Sequence, residues 1–318
     1  MVRKIFLLFI VFILSLSAQD SIFQSVIKNV SIVDTQKAID DAKILQKDIS
    51  DKNFTNFIRS WKKVEAIYLA GEINSEFLDT PRYVDVFNNL KEDLNSQMQR
   101  VIDSKSDIKT ALFKNSFKTV NALEYVLYSK NSISSLSHRE KELANEILKS
   151  IVLNLEDIKS SYEDYLKNPT KSVQEENAIL INTLIASSYR LKEWRVGNSA
   201  GLSSKFKNDS KNNRAEYFLS QNSFEAIDAI LEAQKEIIEQ KEYKNLNDLA
   251  KEKNALNDLK NVLNSINEAK DILKSLPKDD FTNGKKLFDT VSSIHDLYYI
   301  TIIEKLGLKP DILDADGD

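Results

Sequence analysis

Helix-breaking residues are scarce in this sequence. Six glycines and four prolines are spread over 318 residues. In a helix interior a glycine costs about 1 kcal/mol and a proline about 3 kcal/mol relative to alanine, so a chain this poor in both can carry long uninterrupted helices. Apolar residues recur at the spacing of one helix face, as in Ile22, Val26, Ile27 and Val30 or Phe54, Phe57, Ile58 and Trp61. No run alternates apolar and polar over the length of a strand. The pattern predicts an all-α fold, with helices over 21–50, 53–70, 83–102, 107–129, 137–167, 172–201, 222–240, 245–276 and 283–306.

Asn168-Pro169-Thr170 is the clearest break. It divides the chain after its leader into residues 19–168 and 169–318. The expected architecture is two helical bundles, four-helix-bundle-like halves packed together. The leader itself has a positive start (Arg3, Lys4), an apolar run from Ile5 to Leu14, and small residues for cleavage near Ser17 or Ala18. Residues 1–18 therefore read as a signal peptide, too short for a membrane span of about 20 residues. The sequence has no cysteine, hence no lipid-bearing cysteine, disulfide or thiolate metal site. The expectation is an exported protein, periplasmic in a two-membrane bacterium, with no stable membrane span after cleavage. Loss of Arg3 and Lys4 takes the formal net charge from −4 to −6, which argues against nucleic acid as a partner.

Charges placed where hydrophobes are expected mark the candidate site. If 107–129 is one helix, Phe113, Phe117, Val120, Leu127 and Tyr128 share an apolar face, and Glu124 falls roughly 20° from Phe113. Asn121 lies at the edge of that face, one turn earlier. Glu65 projects into the apolar face of the preceding tryptophan-bearing helix, between Ile58 and Trp61. Asp85 is expected on the 83–102 helix, after a turn capped by Asp79 or Thr80 with Pro81 in its first turn. Arg195 continues the apolar face of the 172–201 helix. An unpaired charge in such a place costs several kcal/mol or is neutralised, so each needs a partner.

The order of the motifs resembles that of the imelysin family. Trp61-Lys-Lys-Val-Glu65 followed by Gly71 is similar to the family's tryptophan-containing helix, and Asp79-Thr-Pro-Arg82-Tyr-Val-Asp85 to its proline-containing segment. Arg190-Leu-Lys-Glu-Trp194-Arg195-Val-Gly197 resembles its Glu-Trp-Arg stretch, Arg214-Ala-Glu-Tyr217 a segment with an Arg and a Tyr, and Asp314-Ala-Asp-Gly-Asp318 its terminus. The family's Gly-x-His-x-x-Glu signature reads Thr119-Val-Asn121-Ala-Leu-Glu124 here, so the Glu is kept and the His is not. The resemblance implies an exported, all-helical protein tied to iron uptake, with some relatives described as metallopeptidases.

Two readings of the acids stay open. Glu65, Asp85 and Glu124 could hold iron or another divalent metal, with Asn121 adding an oxygen. Alternatively Glu124 pairs with Arg195 or Arg82, and Glu65 with another arginine, as structural ion pairs. An amide is a much weaker ligand than imidazole for zinc, iron or copper, so the Asn121 position weakens the metal reading. Arg82, Arg195 and Arg214 are candidate contacts for a small anionic ligand, while Arg190 falls on the opposite side of the helix from Arg195. The two histidines, His138 and His295, lack metal-site spacing, and no Gly-x-Ser-x-Gly or phosphate loop occurs. The Asp-rich tail reads as a docked end and not as a calcium loop. The functional expectation is a non-catalytic periplasmic component of metal, most simply iron, acquisition, working with an outer-membrane or periplasmic uptake partner. The alternatives are an imelysin-type metallopeptidase and a non-metal ligand-binding or interaction module.

Overall fold

The computed structural model describes residues 20–130 and 133–310, and within them every regular element is a helix. The expected leader and the chain from 311 onward, including the Asp-rich end, lie outside the described residues. The longest element, His138–Lys167, begins at a capping box: Ser137 and Glu140 satisfy each other's backbone N–H groups, two of the donors that a helix start leaves unpaired. Val173–Arg190 starts in the same way at Ser172 and Glu175.

Asp51–Ala66 runs through the middle of the fold. One side packs on Ile32–Lys47, which in turn packs on His138–Lys167; the other packs on Ser223–Ile238. Phe54, Phe57, Ile58 and Trp61 are fully buried in this position. The buried apolar side chains form one continuous core that includes residues from both sides of Pro169. At its margin Arg59 pairs with Glu225, Asp228 and Glu232, tying the central helix to one that lies far away in sequence.

Three expected helices are broken. The 107–129 stretch divides into Ile108–Ala111, a tight turn Asn115–Lys118, and Val120–Tyr128. Thr119 takes up extended backbone and caps the last of these, accepting from the Ala122 N–H. Phe113 is consequently 71% exposed, off the face it was expected to share with Glu124. The 83–102 helix is replaced by Thr80–Val84 and Leu94–Asp103, and Asp85 terminates the first with extended backbone. The 245–276 helix breaks between Glu252 and Leu256, where Asn254 takes a left-handed conformation. In each case side-chain capping or a left-handed residue interrupts the run without any Gly or Pro.

Three helices each contain a widened, π-helical turn: Ile27–Ser31, Leu191–Gly197 and Leu297–Ile302. Such turns hydrogen-bond from residue i to i+5 and are frequent at functional sites. The second ends at Gly197, where a Cβ would stand 2.8 Å from the Lys192 carbonyl oxygen and 3.0 Å from side-chain atoms of Ser203 and Phe288. Only glycine fits so close an approach. The helix then stops at Gly201 in the left-handed conformation.

Candidate functional site

Lys62 is fully buried, one residue after the buried Trp61 on the central helix. Its ammonium donates to three carboxylates: Glu65 Oε2 at 2.7 Å, Asp85 Oδ2 at 2.7 Å and Glu216 Oε1 at 2.5 Å. An ammonium has three hydrogens, so its donor capacity is exhausted. Arg195 closes the arrangement. Its Nε donates to Glu216 Oε2 at 2.8 Å, and its Nη2 to Glu65 at 2.7 and 2.9 Å. Lys62, Glu65, Arg195 and Glu216 thus form a closed ring of alternating charge, with Asp85 bound to Lys62 outside it.

Asp85 is held by more than its charge. Oδ2 also accepts from Trp61 Nε1 at 3.0 Å and from the Tyr217 hydroxyl at 2.8 Å, and Oδ1 accepts from the Phe87 N–H at 2.9 Å. Tyr217 reaches this position with φ at 59°, a backbone region costly for a bulky residue. Its ring also faces the Lys62 ammonium, 5.2 Å from the centroid. Arg195 enters from the widened turn Leu191–Gly197, and Glu216 follows the short turn Asn212–Arg214. Five charged groups from four separated stretches converge here.

The charges set one another's proton affinities. Burial opposes the Lys62 charge, but Asp85, Glu216 and Glu65 outweigh it and hold the amine above the ordinary lysine range. Burial likewise opposes ionisation of Asp85, yet Lys62 and the donors from Phe87 and Trp61 hold that carboxyl well below the usual carboxylate range. Glu65 is lowered overall: Arg195 and Lys62 overcome its burial. Glu216 goes the other way. Burial pushes it up to about 7 even though Arg195 and Lys62 pull it down. Three carboxylates face two cations, and burial weighs most heavily against the charge of Glu216.

The remaining candidate residues fall elsewhere. Glu124 is buried, but no cation is bonded to it: Oε1 accepts from the Ser220 N–H at 2.9 Å and hydroxyl at 2.7 Å. Burial, opposed by those two bonds and assisted by the charges of Asp85 and Asp279, pushes it up to about 7. The expected pairing of Glu124 with Arg195 or Arg82 does not occur. Arg195 is committed to Glu65 and Glu216, and Arg82 is exposed, 3.3 Å from Asp79. Asn121 Oδ1 accepts from the Val86 N–H at 2.7 Å, which tethers the backbone beside Asp85. Arg214 pairs with Asp209 and stacks on Phe206, 4.1 Å from the ring centroid. Burial, opposed by the charge of Glu65 and assisted by that of Arg195, lowers the proton affinity of Arg190. His138 is on the surface, 3.5 Å from Glu142, and His295 is buried with Nδ1 3.1 Å from the Ser188 hydroxyl.

Glu65, Asp85 and Glu216 each bring one oxygen to within 4.8 Å of the others; Glu216, not Glu124, completes the set. Oxygen-only donors suit hard cations such as Mg²⁺, Ca²⁺ or Mn²⁺ better than zinc. The place these oxygens share, however, is taken by the Lys62 ammonium. The residues present therefore do not fit a metal while that amine stays where it is.

The family model for imelysin matches residues 31–294. The chain belongs to the imelysin family. An imelysin-like protein from Psychrobacter arcticum 273-4 shares the fold with a TM-score of 0.75 at 14% identity, over 91% of this chain and 95% of that one. A protein described as "putative iron-regulated protein A precursor" from Parabacteroides distasonis ATCC 8503 gives 0.59 at 12% identity, over 90% and 92%. A comparison with curated proteins found no match. Among the described residues, no helix of this imelysin-family chain is long and apolar enough to cross a membrane.

Lys62, Glu216, Tyr217 and Trp61 were not among the site residues expected from sequence. Lys62 left a usable signal: it lies about 40° from Ile58 and about 60° from Glu65 on the helical wheel, a position that a solvent-facing lysine would not take.

Proposed function

We propose that this imelysin-family protein serves iron acquisition in the periplasm as a non-catalytic binding or interaction component. Its central charge cluster fixes how distant helices meet and does not cut peptide bonds. The observation that carries this reading is the saturated Lys62 ammonium, which takes the position where a hydrolytic centre would need an open coordination site. Two further observations support it. The motif position that bears His in the family is Asn121, engaged with the Val86 N–H, and neither His138 nor His295 is bonded to the cluster. The link to iron rests on family membership and on the iron-regulated description of the Parabacteroides distasonis neighbour.

Deleting the gene in the encoding bacterium should slow growth under iron limitation and leave iron-replete growth unchanged. The purified protein should leave unfolded casein intact, with or without added zinc. Normal growth of the deletion strain under iron limitation would remove the iron role. Chelator-sensitive cleavage of casein, lost in Glu124→Gln, would replace the binding reading with a peptidase.

A further inference from the structure

We infer that Lys62 acts as a tethered cation in place of a metal ion: its ammonium occupies the shared coordination point of Glu65, Asp85 and Glu216 and is what makes this centre refuse divalent cations. The inference deepens the non-catalytic reading above and rests on it, but is tested by cation binding alone, independently of growth or proteolysis.

The geometry resembles a coordination shell with nitrogen at its centre. Three carboxylate oxygens from three separated segments each lie within 2.7 Å of one Nζ, and no hydrogen of that ammonium is left over. Asp85 is braced by Trp61, Tyr217 and the Phe87 N–H, much as ligating carboxylates are oriented by outer hydrogen bonds. Glu65 and Glu216 are each gripped by Arg195. The donors are thus pre-oriented by groups other than Lys62 itself, and taking away the amine should leave a framed opening and not a collapsed one. Lys62 is fully buried, so a dissolved ion cannot compete for this position without the side chain moving. A covalently attached cation is always present at saturating effective concentration, and the centre is therefore satisfied whatever the metal supply.

The test compares wild type, Lys62→Ala and Lys62→Met, with Mn²⁺ as the probe because the donors are all oxygen. Wild type should show no stoichiometric Mn²⁺ binding by electron paramagnetic resonance and no shift in melting temperature with added MnCl₂. Lys62→Ala, which opens space and removes the charge, should bind one Mn²⁺. Its melting temperature should rise by roughly 5 °C at a hundredfold excess over Kd, and propylammonium should raise it as well. Lys62→Met removes the same charge but fills the space, and should gain neither response. If Lys62→Ala does not fold unaided, refolding it with and without Mn²⁺ or propylammonium gives the same readout as recovered native protein. Stoichiometric Mn²⁺ binding by wild type that is lost in Asp85→Asn and Glu216→Gln would overturn the inference. So would a Lys62→Ala protein that neither Mn²⁺ nor propylammonium stabilises or refolds.

Discussion

The Lys62 cluster and the Glu124 site answer one physical problem, the burial of a carboxylate, with different partners. They are close enough that the charge of Asp85 raises the proton affinity of Glu124. Around Lys62, three acids are compensated by two cations and by neutral donors from Trp61, Tyr217 and Phe87. At Glu124 the only hydrogen-bond donor among the described residues is Ser220, and burial pushes the acid up to about 7. The first solution needs partners from remote stretches of chain and fixes tertiary geometry. The second needs a single serine, 96 positions along the chain, and leaves a group whose charge follows pH. Leaving a buried charge uncompensated by taking away its partner is expensive, whereas removing a charge that was already disfavoured is not.

That contrast can be broken by substitution. The largest effect is expected for Lys62→Met, which leaves three carboxylates facing Arg195 alone and takes the paired cation from Asp85. Urea denaturation at pH 8 should show a loss of about 3–5 kcal/mol, and the loss should shrink toward pH 5.5 as the acids take up protons. A loss of under about 1 kcal/mol would mean that the cluster is no stronger than a surface ion pair.

Glu124→Gln should act in the opposite direction. The folded protein raises the Glu124 pKa from 4.5 to about 7, so between those values it holds more protons than the unfolded chain. Stability therefore falls as pH rises through this window, and the full penalty is present above it. The neutral amide escapes that penalty and still accepts from Ser220. Stability at pH 8 should rise by roughly 2–3 kcal/mol, with little change at pH 4.5; an unchanged or lower stability at pH 8 would show Glu124 to be ionised and satisfied.

Smaller effects sharpen the comparison. Tyr217→Phe removes one neutral donor from Asp85 and should cost about 1.5 kcal/mol, within the range for hydrogen bonds to charged groups. A double-mutant cycle should find strong coupling between Arg195 and Glu216, and coupling below about 0.5 kcal/mol between Arg195 and Glu124. Arg82→Ala, at an exposed pair, should change stability by no more than about 0.5 kcal/mol.

The all-α class was legible because the scarcity of Gly and Pro and the recurrence of apolar residues act along the whole chain. So were the helix starts at 137 and 172, where the structure shows capping boxes built from local residue order. The breaks near Thr119 and after Asp85 were not. They depend on side-chain capping and on extended backbone that tertiary contacts stabilise, and no breaker residue announces them. In the site, Glu65, Asp85 and Arg195 were visible as charges tied to apolar faces or family motifs, and the structure brings them together. Glu124 was visible too, but its partner is a serine that no spacing rule could supply. Lys62 and Glu216 were harder to identify because lysines and glutamates are common on helix surfaces, and their burial depends on the convergence of segments about 150 positions apart.

The widened turn at Leu191–Gly197 carries a lesson for tracing chemistry across distant relatives. In a regular helix each residue added or removed swings everything beyond it by about 100°. A homologue could keep an arginine at the aligned position yet lack this irregularity, and its guanidinium would then face a different neighbour. Matching letters are thus a poor guide to shared chemistry in this stretch; the number of peptide units between Arg190 and Gly197 decides where the positive charge is delivered.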